Sequence, residues 1–323
     1  MKKFWIWEEI LSDAEHFTSE NLKTLFKILN DNSETIYGKK YNFNKIKTIE
    51  DFRKNVPLTE YDHYYDYIKR ILNKEKNILF SYNIRYLTET SGTTGHKKLF
   101  PMTDELIDIF DKYAHDGIIQ MIEKRLGTTL NKCFLLSSIR PNSLNGFKVV
   151  LAGQTMYERF KDNNKDIFNF FTSPMEVIFP EKDTDVEYLR LLFALAEPDL
   201  DIIFGHFGYQ FLMVFLKIKK IWKKLVKDIE NGKISEDVSV PIDIRNTLNK
   251  KLKPNINRAK ELYEEFNKGF DDPIIPRIFK KLKIVVFITG DTFQSQQIMI
   301  KKLIGNTPVH SFAYVSTEGL YGV

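Results

Sequence analysis

The chain has 323 residues, 43% of them hydrophobic, 14% aromatic and 28% charged, with no tract biased to Gly, Pro or Ser. That length buries a sizeable core, and the composition excludes a largely disordered chain. Its 48 basic and 43 acidic residues nearly cancel, leaving +5. The lysine clusters Lys217-Ile-Lys-Lys220 and Lys280–Lys283 alternate with apolar residues at helical spacing, so they read as solvated helix faces and nucleic acid is not expected as a partner.

Cys133 is the only cysteine, which rules out an intrachain disulfide and a cysteine-based zinc site. The opening MKKFWIWEEILSD resembles a signal peptide only briefly, because Glu8 and Glu9 cut its apolar run short. Residues 18–30 read as a helix with Thr18 or Ser19 as its cap and Leu22, Leu25, Phe26 and Leu29 on one stripe. A second helix is expected over Tyr61–Leu72, after Pro57-Leu-Thr59. Residues 84–90 have strand character and lead into a glycine-rich loop. Beyond Pro101, Thr103 caps a further helix, with Leu106, Ile109, Phe110 and Tyr113 on its buried face. On this reading the loop lies between a strand and a helix.

Further along, Cys133–Ile139 and Lys148–Ala152 read as strands, Asp185–Ala196 as a helix and Ile202–Gly205 as a short strand. A long helix then runs through Ile229 and stops near Asn231-Gly232. The apolar stretch Ile202–Leu216 carries His206, Gln210 and two glycines, and is shorter than the roughly 20 residues of a membrane span. A soluble, cytoplasmic protein without a membrane partner is expected. Residues 234–283 are lysine-rich and helical, broken at Pro254, Pro273 and Pro276, before a buried strand Lys283–Thr289 that ends in Gly290-Asp291. A last strand, Pro308–Tyr314, leads into Val315-Ser-Thr-Glu-Gly319. Strands alternating with helices predict an α/β fold with parallel-rich sheets flanked by helices. No internal repeat or linker divides it.

Thr90–Lys98 reads TSGTTGHKK. Gly92 and Gly95 let the backbone turn its N–H groups toward an anion, Thr90, Ser91, Thr93 and Thr94 add hydroxyl donors, and Lys98 adds a positive charge. Such a set suits nucleotide phosphates, though it is no Walker A loop, since Leu99 follows Lys98. The competing reading is an ordinary Ser/Thr/Gly turn. The histidines at 16, 63, 96, 115, 206 and 310 contain no i, i+4 pair for a metal. His96 is either a phosphate donor or exposed filler, and His206 either lines a ligand pocket or is a satisfied structural histidine.

The string T-S-G-T-T-G-x-x-K resembles the phosphate loop of the adenylate-forming superfamily. Its surroundings narrow the likeness: Phe52–Tyr61, Tyr67-Ile-Lys-Arg-Ile71 and Lys98-Leu-Phe-Pro101, then Ser173–Ile178, Leu191–Leu195, Ile221-Trp with Asp228–Gly232, and Leu282–Gly290. In that order they resemble the auxin-responsive acyl acid amido synthetases and their microbial relatives. Tyr314-Val-Ser-Thr-Glu-Gly319 resembles the same family's second nucleotide motif.

The resemblance implies ATP and Mg²⁺ as cofactors, with Thr90, Ser91, Gly92, Thr93, Thr94 and Gly95 on the phosphates. It implies Gly290, Tyr314 and Ser316 around the nucleoside, Lys98, Thr317 and Glu318 as catalytic groups, and Glu318 on the metal. Asp291 departs from the small residue usual at that position. The implied activity is ligation of a small carboxylic acid to an amine, an amino acid above all, through an acyl-adenylate. A coenzyme A-forming enzyme and a non-catalytic nucleotide-binding protein are the alternatives. Family members continue past the position of Val323. The expectation is therefore a truncated N-terminal adenylation domain over residues 1–323, without the small C-terminal domain, that leaves a surface for that domain or a protein partner.

Overall fold

A computed structural model describes residues 5–90, 97–151, 154, 157–158, 161, 165–290, 294–311, 313–316 and 319–322. Its strands, in chain order, are β1 (Ile84–Glu89), β2 (Leu99–Thr103), β3 (Cys133–Leu135), β4 (Asn142–Leu144), β5 (Phe147–Val150), β6 (Ile202–Phe207), β7 (Ile284–Ile288), β8 (Val309–His310), β9 (Tyr314–Ser316) and β10 (Gly319–Gly322). The chain divides into two compact units. One comprises Met1–Lys124, Pro141–Met156 and Val315–Leu320, the other Arg125–Arg140, Tyr157–Tyr314 and Tyr321–Val323.

The first unit holds a mixed sheet in the order β2-β1-β5-β4. β1 runs antiparallel to β2 and parallel to β5. The β4–β5 hairpin, absent from the sequence reading, closes through Asn145 and Gly146, both at positive φ (48° and 73°), the conformation that Asn-Gly favours in a tight hairpin. Strand β2 corrects the expected neighbourhood of the glycine-rich loop: the loop joins two antiparallel strands, and the helix begins only after the second. Leu99–Pro101 has one polar flank and a proline, so its strand character was hidden; an edge strand tolerates both.

Thr103 does cap that helix, Asp104–Phe110, by accepting from the Leu106 N–H at 3.3 Å. Its buried face is Leu106, Ile107 and Phe110, packed on Tyr86, Met102 and Val150, while Ile109 is 49% exposed. Four of five consecutive residues there are apolar, which leaves the helical phase undetermined until packing selects it.

The helix expected from residue 18 spans Phe17–Asp31, and neither Thr18 nor Ser19 caps it. The preceding helix, Trp5–Glu15, runs almost directly into it, and the His16 N–H bonds back to Ser12 and Asp13 carbonyls. Two abutting helices leave no extended residue at which a cap can form. The expected Tyr61–Leu72 helix starts as a 3₁₀ turn, Tyr61–Tyr64, and becomes α-helical over Tyr65–Leu72.

The second unit is organised by an all-parallel sheet, β3-β6-β7-β8. Its central strands read as continuous apolar runs because both faces are covered. Ile202, Ile203, Val285, Val286 and Phe287 are almost fully buried. Helices Val186–Ala196, Gly208–Asn231 and Ile256–Asn267 contribute Leu189, Leu192, Phe211, Phe215, Ile229 and Leu262 to the same core. The long helix ends on Gly232 at φ 63°, with Pro254 Cδ where a Cβ would stand, 2.4 Å away. Only glycine satisfies both constraints.

Each lysine cluster has members that face acids. Lys217 pairs with Asp185 at 3.0 Å and Glu187 at 3.2 Å, Lys280 with Glu261 at 2.5 Å, and Lys281 with Asp199 at 2.5 Å. Among the described residues no helix is long and apolar enough to cross a membrane.

Candidate nucleotide site

The base of the glycine-rich loop is closed by the last rung of the β1–β2 hairpin. The Thr90 N–H donates to the Lys98 carbonyl at 3.0 Å, and the Lys98 N–H donates to the Thr90 hydroxyl at 3.1 Å. Thr90 therefore spends its side chain on holding the neck of the loop. Ser91, Gly92, Thr93, Thr94, Gly95 and His96 lie outside the described residues.

β2 is an edge strand, and an edge leaves backbone groups in need of partners. Tyr61 supplies one for Leu99. Its hydroxyl donates to the Leu99 carbonyl at 3.0 Å and accepts from the Leu99 N–H at 2.8 Å. Burial raises the pKa of this phenol against the lowering effect of the Leu99 bond, so it stays protonated and can serve both groups. The Tyr61 ring also lies 5.5 Å from the Lys98 ammonium and packs on Phe100.

The two loop lysines differ. Lys97 is bound to Glu89 at 2.8 Å, whereas no carboxylate among the described residues pairs with Lys98. Held over a ring and otherwise exposed, Lys98 keeps its charge available to an anion. Sequence reading singled out Lys98 but missed Tyr61; an isolated tyrosine 37 positions before it carries no local signal.

Gly290 follows β7 at the carboxyl end of the parallel sheet, with φ 149° and open space where a Cβ would stand. Ligands to open α/β sheets gather at that end. The Gly290 carbonyl accepts from the Gln297 side chain at 3.1 Å, and the neighbouring Thr289 N–H donates to Ser311 Oγ at 3.2 Å. That last bond links the ends of adjacent strands β7 and β8. The expected strand Pro308–Tyr314 is split: Val309–His310 pairs with β7, and Tyr314–Ser316 pairs with β10 instead. Tyr314 is 76% exposed, with its ring 5.6 Å from that of Tyr321. Ser316 closes β9, while Thr317, Glu318 and Asp291 lie outside the described residues. Among the described residues no group of three His, Cys, Asp or Glu side chains is arranged to hold a metal.

The hairpin that leaves Lys98 exposed and the parallel sheet with a glycine at its carboxyl end belong to one mixed α/β chain. Its residues 7–309 match the GH3 family N-terminal domain, and the chain belongs to that family. It is similar to jasmonoyl-L-amino acid synthetase GH3.5 of Oryza sativa subsp. japonica, with 27% identity over 98% of this chain and 56% of the relative. It is also similar to indole-3-acetic acid-amido synthetase GH3.5 of Arabidopsis thaliana, 26% identical over 100% of this chain and 53% of the relative. Among solved structures, AtGH3.15 acyl acid amido synthetase in complex with 2,4-DB superposes with a TM-score of 0.78 at 25% identity, covering 91% of this chain and 52% of that one. The chain thus spans about half the length of the relatives it matches, and its fold is that of the corresponding half of an acyl acid amido synthetase.

Proposed function

We propose that this chain forms the N-terminal adenylation domain of an ATP- and Mg²⁺-dependent carboxylate–amine ligase. The observation that carries the reading is Lys98: a loop lysine without a carboxylate partner among the described residues, at the neck of a loop rich in glycine and hydroxyl groups, in a chain of the GH3 family. One named relative is a jasmonoyl-L-amino acid synthetase and the other an indole-3-acetic acid-amido synthetase, which supports a small carboxylic acid and an amine, an amino acid above all, as substrates.

In the first half-reaction the carboxylate attacks the α-phosphate of ATP and pyrophosphate leaves. Residues 90–98 hold the leaving phosphates, and Lys98 offsets their growing charge. On this reading the exposed Tyr314 ring would lie against adenine, the Gly290 backbone would contact it, Ser316 would belong to the nucleotide site and Thr317 would face the α-phosphate. Glu318 would hold Mg²⁺, which would neutralise charge as pyrophosphate leaves. The second half-reaction, attack of an amine on the acyl-adenylate, gives the amide and AMP.

Carboxylate-dependent ATP–pyrophosphate exchange over aromatic, indole and fatty acids tests this. We expect exchange with at least one acid, and a loss of about 10–1000-fold in Lys98→Ala and Glu318→Ala alike, the effect of removing one charge-stabilising contact. Wild-type rates in both variants would sink the assignment.

A further inference from the structure

The Gly208–Asn231 helix is 24 residues long and packs one face into the core through Phe211, Phe215, Ile218 and Ile229. Its opposite side is bare. Positions 209, 213, 216, 220, 223 and 227 are all exposed, and they recur at alternating steps of four and three. That alternation averages 3.5 residues, the spacing at which one helix offers a straight seam to another. At 1.5 Å per residue the seam is about 27 Å long.

The seam changes character halfway along. Its first half is apolar: Tyr209, Met213 and Leu216 are 53%, 58% and 48% exposed. Single exposed apolar residues are ordinary, but three in succession on one seam form a patch of the kind that partners cover. The second half is Lys220, Lys223 and Lys227.

The lysines of this helix fall into two sets. Off the seam, Lys217 reaches Asp185 and Glu187 at 3.0 and 3.2 Å, and Lys224 reaches Asp237 at 2.7 Å. On the seam, Lys220, Lys223 and Lys227 reach no carboxylate among the described residues. Spaced three and four apart, they repel one another, a cost that acids from outside would relieve. Lys223 also lies 5.6 Å from the Trp222 ring, which meets Tyr263 of the Ile256–Asn267 helix edge-on at 5.6 Å. Tyr263 is half exposed, so an aromatic shelf borders the basic half.

The order of the two halves decides what fits. A second copy does not: parallel seams would set lysine against lysine, and antiparallel seams would set lysine against Tyr209, Met213 and Leu216. A membrane surface suits helices whose apolar face runs their whole length with basic residues beside it. Here the apolar and basic characters follow one another along the axis. A helix whose own seam is apolar over one half and acidic over the other satisfies both at once.

We propose that the exposed seam of the Gly208–Asn231 helix docks an amphipathic helix of a partner protein, with apolar side chains on Tyr209, Met213 and Leu216 and carboxylates on Lys220, Lys223 and Lys227. The proposal does not rest on the ligase reading.

The test is fluorescence anisotropy of labelled helical peptides, each about three heptads long, titrated with the 323-residue chain. Two of them carry leucine at the seam positions of one half and glutamate at those of the other, in either order, so that both docking directions are offered. A third has lysine in place of glutamate. We expect one acidic peptide to bind, the lysine peptide to bind at least about tenfold more weakly, and the acidic complex to weaken as salt rises. The double variant Lys220→Glu, Lys223→Glu should lower affinity at least about tenfold and remove the salt dependence, whereas Leu216→Ser should lower it about tenfold at every salt concentration. Every substituted side chain is exposed, and thermal melting checks that each variant is folded; Lys227→Glu carries the charge test if the double variant is not. Failure of both acidic peptides to bind, equal binding of the lysine peptide, or unchanged affinity in the charge-reversed variant overturns the seam. So does co-sedimentation with phosphatidylserine vesicles where neither acidic peptide binds, which assigns the face to a membrane instead.

Discussion

The parallel sheet of the second unit and the β1–β2 hairpin of the first are held together by different forces. The sheet is secured by apolar burial: β6 and β7 lie among fully covered aliphatic and aromatic side chains. The loop end of the hairpin is held by a few directed bonds, with Thr90 at its neck and the Tyr61 hydroxyl on its edge, while Tyr86, Leu87 and Met102 further along its strands are buried. Buried area makes the first region the source of stability. The second can keep Lys98 exposed because its geometry depends on hydrogen bonds that reach around that side chain. Stability and ligand binding should therefore be separable by mutation.

The sharpest way to break that contrast is the core itself. Phe211 is fully buried and packs 4.4 Å, centroid to centroid, from Phe215. Phe211→Ala should cost about 3–5 kcal/mol, measured by denaturant unfolding; a loss under about 1 kcal/mol would mean that this core collapses around the gap. Next, Lys98→Ala should remove most nucleotide affinity while the melting temperature stays put, whereas Lys97→Ala should change binding little because Glu89 already occupies that lysine. Equal effects of the two substitutions would erase the distinction drawn between them.

Tyr61→Phe tests the link between the two kinds of force. It leaves both backbone groups of Leu99 without their side-chain partner, and should cost about 1–2 kcal/mol together with some nucleotide affinity. The smallest effect concerns pH. Burial first, then Arg125, lowers the pKa of His310 below its usual value. The unfolded chain then binds a proton more readily than the folded one, so stability falls as pH drops below about 6.5. His310→Gln should flatten the melting temperature between about pH 6.5 and 5; a profile identical to the wild type would place the titration elsewhere.

Much of the fold was legible because the signals were strong and local. The β7 run, the capping of the helix at Thr103, the Asp185–Ala196 helix and the stop at Gly232 each follow from period, cap chemistry or glycine, which act within a few residues. The cap at Thr18 or Ser19 failed because a second helix abuts the first, a fact about the chain before the window considered. Strand β2 failed because its partner, not its own sequence, makes it a strand.

The amino-acid sequence by itself determined the family, through several motifs in one order, and marked Lys98 as the charge of the loop. A motif is a local string, and strings survive unfolding. Tertiary structure alone decided that Lys97 is neutralised while Lys98 is not, that Tyr61 serves the edge of β2, and that Lys217 reaches Asp185 and Glu187 while Lys220 and Lys223 of the same helix reach no acid among the described residues. Those assignments join residues tens of positions apart. Electrostatic pairing and hydrogen bonding depend on distance in space, which the order of residues does not contain until the chain has folded.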